Sequence, residues 1–288
     1  MSASSISQVG AVPLDRRPLR VTLPPAMVWV APITMVAAFL VMALFPALFT
    51  QRLPDETDFL AALQPPSLEH LFGTDALGRD LFARVVYGAR LSLLVGIAST
   101  ILSVALGAII GVVAGLSGGI VDRVISRLLD ILLAFPGILL AMLTVVVLGP
   151  GIVNLAIAIG LSSFPGTARL VRSQVMVVAR SGYVETAVTL GRPRSELVLR
   201  HVLPNSISPV LVLATIGIGS SIMSAAALSF IGLGAVPPQS EWGLLLADSR
   251  TQLQVAPWLG VFPGLVLVAA ILSITGLGRL LQAKFEGK

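Results

Sequence analysis

Runs without charge divide this chain. No Asp, Glu, Lys or Arg falls between Arg20 and Arg52, between Arg90 and Asp122, between Asp130 and Arg169, between Arg200 and Glu241, or between Arg250 and Arg279. About 20 apolar residues in a helix cross the hydrocarbon core of a bilayer. Each run therefore has room for a span, and Gly149-Pro150-Gly151 divides the Asp130–Arg169 run into two. The pattern predicts an all-α, polytopic membrane protein with six transmembrane helices, at roughly 26–49, 89–116, 124–148, 152–168, 205–232 and 256–280.

Six spans put both termini on one side, and basic residues say which. With the N-terminus inside, the inner segments hold Arg16, Arg17, Arg20, Arg123, Arg127, Arg169, Arg172, Arg180, Arg192, Arg194, Arg200, Arg279, Lys284 and Lys288. The outer segments hold Arg52, Arg79, Arg84, Arg90 and Arg250, so the division is 14 against 5. The positive-inside bias then makes both termini cytoplasmic. The first apolar run is too long for a signal peptide, and three arginines hold its N-terminal flank inside.

A long polar interruption runs from Arg180 to Asn205, which this orientation places in the cytoplasm. Val184, Ala187, Val188 and Leu190 give a short helix one apolar stripe. Gly191 and Arg192-Pro193 end it, because Gly suits a C-cap and Pro cannot continue the turn. Ser195 begins a second short helix, and Pro204 marks the start of the next span. A compact two-helix projection of this kind suits docking on a partner protein.

The outer segment before the second helix reads His70-Leu-Phe-Gly-Thr-Asp-Ala-Leu-Gly-Arg-Asp80. Its glycines allow tight turns, Thr74 and Asp75 are candidates to cap the following helix, and the alternating charges can pair locally. Gly107, Gly111 and Gly115 lie at four-residue spacing, so this face packs inside the bundle or on another subunit. Asp130 is the one carboxylate near a span interior, an intramembrane candidate by type. Arg127, three residues back, offers a pair near the interface. Pro136 follows and predicts a kink. His201 reads as a loop residue and His70 as a surface residue, too distant from each other to form a metal site.

Several of these stretches resemble one family. Glu185-Thr186-Ala187, Gly191 and His201-Val202-Leu203-Pro204 match, without a gap, the "EAA" loop of ABC-importer permeases. Thr186 stands where the pattern has Ala, and His201 where many members have Ile. Gly73-Thr74-Asp75, Gly78-Arg79-Asp80 and Gly88-Ala89-Arg90 are similar to the outer signature of C-type permeases of the dipeptide/oligopeptide/nickel branch. Asp130 with Ala134 and Pro136, Phe230-Ile-Gly-Leu-Gly234, Pro237-Pro238, Trp242-Gly243 and Phe262-Pro263-Gly264 continue the likeness. Trp242 and Trp258 sit where an interfacial aromatic belt would place them. After these, Thr275-Gly-Leu-Gly-Arg279 replaces the usual Asn-x-x-Gly-Asp run. The resemblance covers residues 67–270, in round figures.

The resemblance implies a MetI-like, type I ABC-importer permease fold in a bacterial inner membrane. Residues 1–87 would be the cytoplasmic tail, first helix and outer segment, and 88–288 a five-helix permease domain with the coupling loop at 180–205. It implies coupling to ATPase subunits through Tyr183, Glu185, Ala187, Gly191, His201, Leu203 and Pro204. The implied partners are a homologous B-type permease subunit, two ATPase subunits and an extracytoplasmic substrate-binding protein, with no nucleic acid. Peptides are the expected cargo; nickel chelates, glutathione or haem are the alternatives within related systems.

Composition narrows the rest. The chain is 56% hydrophobic and 11% charged, and its mean hydropathy of +0.95 is that of a membrane protein. Zero cysteines remove disulfides, thiolate metal sites and thiol nucleophiles together. No GxxxxGK[ST] phosphate loop occurs, so ATP and Mg are expected on partner subunits, with no cofactor and no catalytic residue here. The rival class is an ion-coupled secondary transporter, which needs charged groups near the bilayer midplane; Asp130 alone serves that poorly.

Overall fold

The computed structural model describes residues 25–189 and 192–285, and every regular element among them is helical. The first is α1, Pro25–Leu44. A long outer segment follows and ends at Asp80, whose carboxylate caps α2, Leu81–Ser117, by accepting from Ala83 N at 2.7 Å. Gly118, at φ +61°, stops α2 and starts α3, Gly119–Leu133. Pro136 has no N–H to extend that helix. The chain breaks there into α4, Gly137–Leu148, which bends by 88° from α3. The predicted third span at 124–148 is therefore two helices, and the effect of Pro136 is a break where a kink was expected.

Gly149, at φ +88°, closes α4 before α5, Ile152–Ala179. The fourth predicted helix, 152–168, thus continues for another 11 residues, because Val171 and Val175 bury fully against α2. Next come α6, Gly182–Thr189, and α7, Arg194–Leu197. From α7 a π-turn, Val198–Val202, leads without interruption into α8, Leu203–Phe230. Two more helices complete the described chain: α9, Trp242–Ser249, capped by Glu241, and α10, Trp258–Phe285.

Three described helices are long and apolar enough to cross a bilayer alone: α2, the unit Val198–Phe230, and α10. The bent pair α3–α4 makes a fourth if it counts as one span. The prediction of six rests on the two others. α1 offers only Trp29–Leu44 as an apolar helix within the described residues, and α5 is diluted by Asn154, Pro165, Arg169 and Arg172.

The glycines of α2 set the packing. A Cβ on Gly107 would lie 2.7 Å from Thr167 Cβ, one on Gly111 2.5 Å from the Ala168 carbonyl oxygen, and one on Gly115 2.7 Å from Val175 Cγ1. Rising numbers meet rising numbers, so α2 and α5 run parallel with their backbones nearly touching. This is the close approach that small residues at four-residue spacing permit, and the GxxxG face packs inside this chain. α8 runs antiparallel to α2, with Thr100 bonded to Ser221 at 3.1 Å.

Three apolar clusters follow from this frame. At the α9 end, Phe39, Leu81, Trp242 and Leu259 pack together. Where α4 and α8 close and α5 begins are Val145, Leu155, Ile159 and Leu228. At the α6 end, Val184 and Val202 join Val171, Val175 and Val210.

Gly111→Val should force α2 off α5 and cost about 1–3 kcal/mol. The expected result is a lower melting temperature and yield of the detergent-solubilised protein. Gly137→Ala, where a Cβ would meet nothing within 4 Å, should leave both unchanged.

Candidate functional sites at the two ends of the bundle

The α6 end carries the predicted coupling residues. Val184 is buried in the cluster with Val171, Val175, Val202 and Val210, so α6 is pinned to α5 and to the start of α8. Tyr183, beside it, is 49% exposed and its ring faces the His201 ring at 6.3 Å. The hydroxyl of Thr186 turns back to the Gly182 carbonyl at 2.8 Å, a bond the more usual Ala could not make. Glu196 accepts from Arg192 at 2.5 Å and from Arg200 at 3.0 Å, bracing α7 along one face.

The π-turn explains the Leu203-Pro204 pair. Leu203 N reaches five residues back to the Val198 carbonyl, and Pro204, with no N–H, leaves the adjacent bond of the ladder unmade. The second predicted loop helix and the following span are thus one continuous rod. Leu203 is half-buried and Pro204 exposed at its surface, and Asn205 Nδ2 donates to the His201 carbonyl at 2.7 Å. Glu185 and Ala187 sit on the α6 backbone, their side chains outside the described set; Gly191 lies outside the described residues altogether.

Two charge pairs tie α3 to α5 beside this segment. Arg172 grips Asp122 with Nε at 2.5 Å and Nη2 at 2.8 Å. Arg169 bonds Asp130. The predicted Asp130–Arg127 pair is therefore replaced by one across helices: the bend at Pro136 swings α3 over α5 and brings Arg169 to the carboxylate. Both members of that pair are about half exposed.

Between α2, α5 and α8 lies a cavity of about 160 Å³ lined by six hydroxyls, those of Thr100, Ser103, Ser163, Thr167, Ser220 and Ser221. Ser103 and Thr167 bond across it at 3.0 Å. Sequence reasoning passed over these residues because single hydroxyls in apolar helices carry no local signal.

The signature of the outer segment builds the α9 end. Thr74 is fully buried; its hydroxyl donates to the Ala61 carbonyl and accepts from Gln64 N at 2.8 Å. Asp75 is the hub. One oxygen accepts from Leu77 N at 2.9 Å and Arg79 N at 3.0 Å, the other from Arg79 Nε at 2.7 Å and Arg84 Nη1 at 2.8 Å. Gly78 is required by its φ of +73° and by Asp58, whose carbonyl oxygen would stand 1.6 Å from a Cβ; Gly73 has φ +77°.

Three expectations are corrected at this end. Asp80, and neither Thr74 nor Asp75, caps α2. His70 is buried, with Nδ1 2.8 Å from Asp80 Oδ2, since the cap carboxylate has a second oxygen to satisfy. Trp242, expected in an interfacial belt, is fully buried and donates Nε1–H to the Val85 carbonyl at 2.9 Å; Trp258, half-buried, donates to the Thr74 carbonyl at 3.3 Å.

Buried Glu241 accepts from Gly243 N and Leu244 N, each at 2.9 Å, and from Ser92 Oγ at 3.2 Å, locking α9 against α2. Its position directly before Trp242-Gly243 was the available sign of an N-cap. Asp248, on α9, stands 3.7 Å from Arg84 Nη2. Burial pushes the Asp248 carboxyl up from its ordinary value, against the downward pull of Arg84 and Arg79.

Residues 107–287 match the family model described as the binding-protein-dependent transport system inner membrane component. A dipeptide transport system permease protein of Alkalihalophilus pseudofirmus is 42% identical over 253 residues, covering 88% of this chain and 83% of that one. A glutathione transport system permease protein of Shigella flexneri is 47% identical over 223 residues, 77% of this chain and 74% of its own. Among solved structures, an inward-facing MetNI methionine ABC transporter chain superposes with a TM-score of 0.57 at 20% identity, over 70% of this chain and 95% of that chain, a likeness of fold. The chain therefore belongs to the inner membrane component family of binding-protein-dependent transport systems, as an ABC-importer permease subunit of the MetI type.

Proposed function

We propose that this permease forms half of the translocation pathway of a peptide importer and is driven through α6 by an ATPase subunit. The observation that carries the coupling role is the burial of Val184. A helix that presents Tyr183 outward while its opposite face is held among Val171, Val175, Val202 and Val210 can receive a push and deliver it to α5 and α8 together.

The cargo assignment draws on the relatives' transport of dipeptides and glutathione. The hydroxyl-lined cavity between α2, α5 and α8 offers donors and acceptors suited to a peptide backbone, whatever its side chains. ATP and Mg belong to the two ATPase subunits in this reading, since this chain has no phosphate loop. A homologous permease supplies the other half of the pathway, and an extracytoplasmic binding protein delivers the peptide at the α9 end. Both termini and α6 then face the cytoplasm, in keeping with the 14-to-5 division of basic residues.

Vesicles carrying the full complex should take up dialanine only with ATP, and vanadate should abolish that uptake; uptake driven by an ion gradient without ATP would sink the proposal. Val184→Ala leaves a cavity worth about 1–3 kcal/mol at the anchor of α6. Membrane abundance should be normal and ATP hydrolysis retained, while uptake per ATP falls. Asp130→Asn removes a half-exposed pair worth at most about 1 kcal/mol, so uptake should stay near the parent rate. Asp122→Asn, which breaks the more sheltered two-bond grip of Arg172, should lower it further in the same assay.

A further inference from the structure

A second cavity, of about 600 Å³, opens at the α9 end between the outer segment and the α9–α10 connection. Its size falls within the range of small-molecule sites. Asp75, Arg79, Arg84, Asp248, Thr251 and Gln252 are among its lining residues. The charges are two of each sign, and they are unequally occupied. Asp75 is saturated by four hydrogen bonds. Arg84 is not: its side chain is only 2% exposed, yet Nε has no partner and Nη2 stands 3.7 Å from Asp248, beyond hydrogen-bond reach.

A buried guanidinium left with an idle N–H costs stability, and direct closure of the gap to Asp248 would have offset part of that cost. The Asp248 side chain is instead 42% exposed, with its carboxylate at the solvent side of the cavity. Arg84 and Asp248 give the cavity one incompletely bonded charge of each sign, the complement of a zwitterion's two ends.

We propose that this cavity is a ligand site for a small zwitterionic peptide, with Arg84 taking the carboxylate and Asp248 the ammonium, where the cargo pauses between the binding protein and the bundle. The assignment of the ligand as cargo rests on the peptide-importer reading. The same carboxylate chemistry could come from an acidic side chain of the binding protein, and the test separates the two sources.

The full chain in lipid nanodiscs is titrated calorimetrically with dialanine, dialanine amide and N-acetyl-dialanine. Dialanine should bind, and loss of its carboxylate in the amide should weaken binding about tenfold or more. Asp248→Asn should weaken dialanine to a similar degree but leave N-acetyl-dialanine unchanged, because that ligand brings no ammonium to lose. An unaltered melting temperature checks that this exposed position has not disturbed the fold. Arg84→Lys keeps the charge but not the fork, and should reduce the preference for dialanine over its amide.

Equal binding of all three ligands, or none, overturns the proposal. So does loss of binding-protein docking in Asp248→Asn with no peptide binding to the parent chain, which would give the carboxylate to that partner. ATP-driven uptake by a complex whose permease shows no such binding overturns the site and leaves the permease reading standing.

Discussion

The contact on which the rest of this fold depends is the approach of α2 to α5 through Gly107, Gly111 and Gly115. In a bilayer the hydrophobic effect does little to bring helices together, so packing and interhelical hydrogen bonds must do so. Here the helices meet closely enough for a methyl group to be excluded. That closeness brings Ser103 to Thr167, and it carries Val171 and Val175 into the cluster that holds α6. The parallel course of α2 and α5 also requires the chain between them to travel back across the bundle. The bent pair α3–α4 does this, and Arg172 and Arg169 secure it to α5.

Much of the architecture was legible because a bilayer imposes long charge-free runs and because glycine spacing has a direct packing meaning. The polar segment at 180–205 declared itself by the same contrast. What the sequence concealed were interactions between residues far apart in number. Asp130 meets Arg169 across 39 positions, and nothing local favours it over Arg127. His70 is buried only because the α2 cap at Asp80 faces it. Trp242 has the composition of a belt residue, but its ring fills the space between α1 and α2 and spends its N–H on Val85.

The π-turn is a different kind of omission. Proline at 204 was visible and suggested a boundary, since proline often opens a helix. The structure uses the widened turn at Val198–Val202 to accommodate that proline without ending the helix. A break signal in sequence became a continuous element, and α7, the second helix of the 180–205 segment, is of one piece with a membrane span.

That continuity has a mechanical consequence. The helix Val198–Phe230 contains 33 residues, about 50 Å at 1.5 Å per residue. Gly219 seats it against α10, where a Cβ would fall 2.4 Å from Thr275 Oγ1; taken as the pivot, that point divides the rod unequally. The arm toward the π-turn is then roughly 32 Å and the arm toward α9 roughly 17 Å. A rod pivoting there acts as a reducing lever: travel at the π-turn end arrives near α9 at about half the distance.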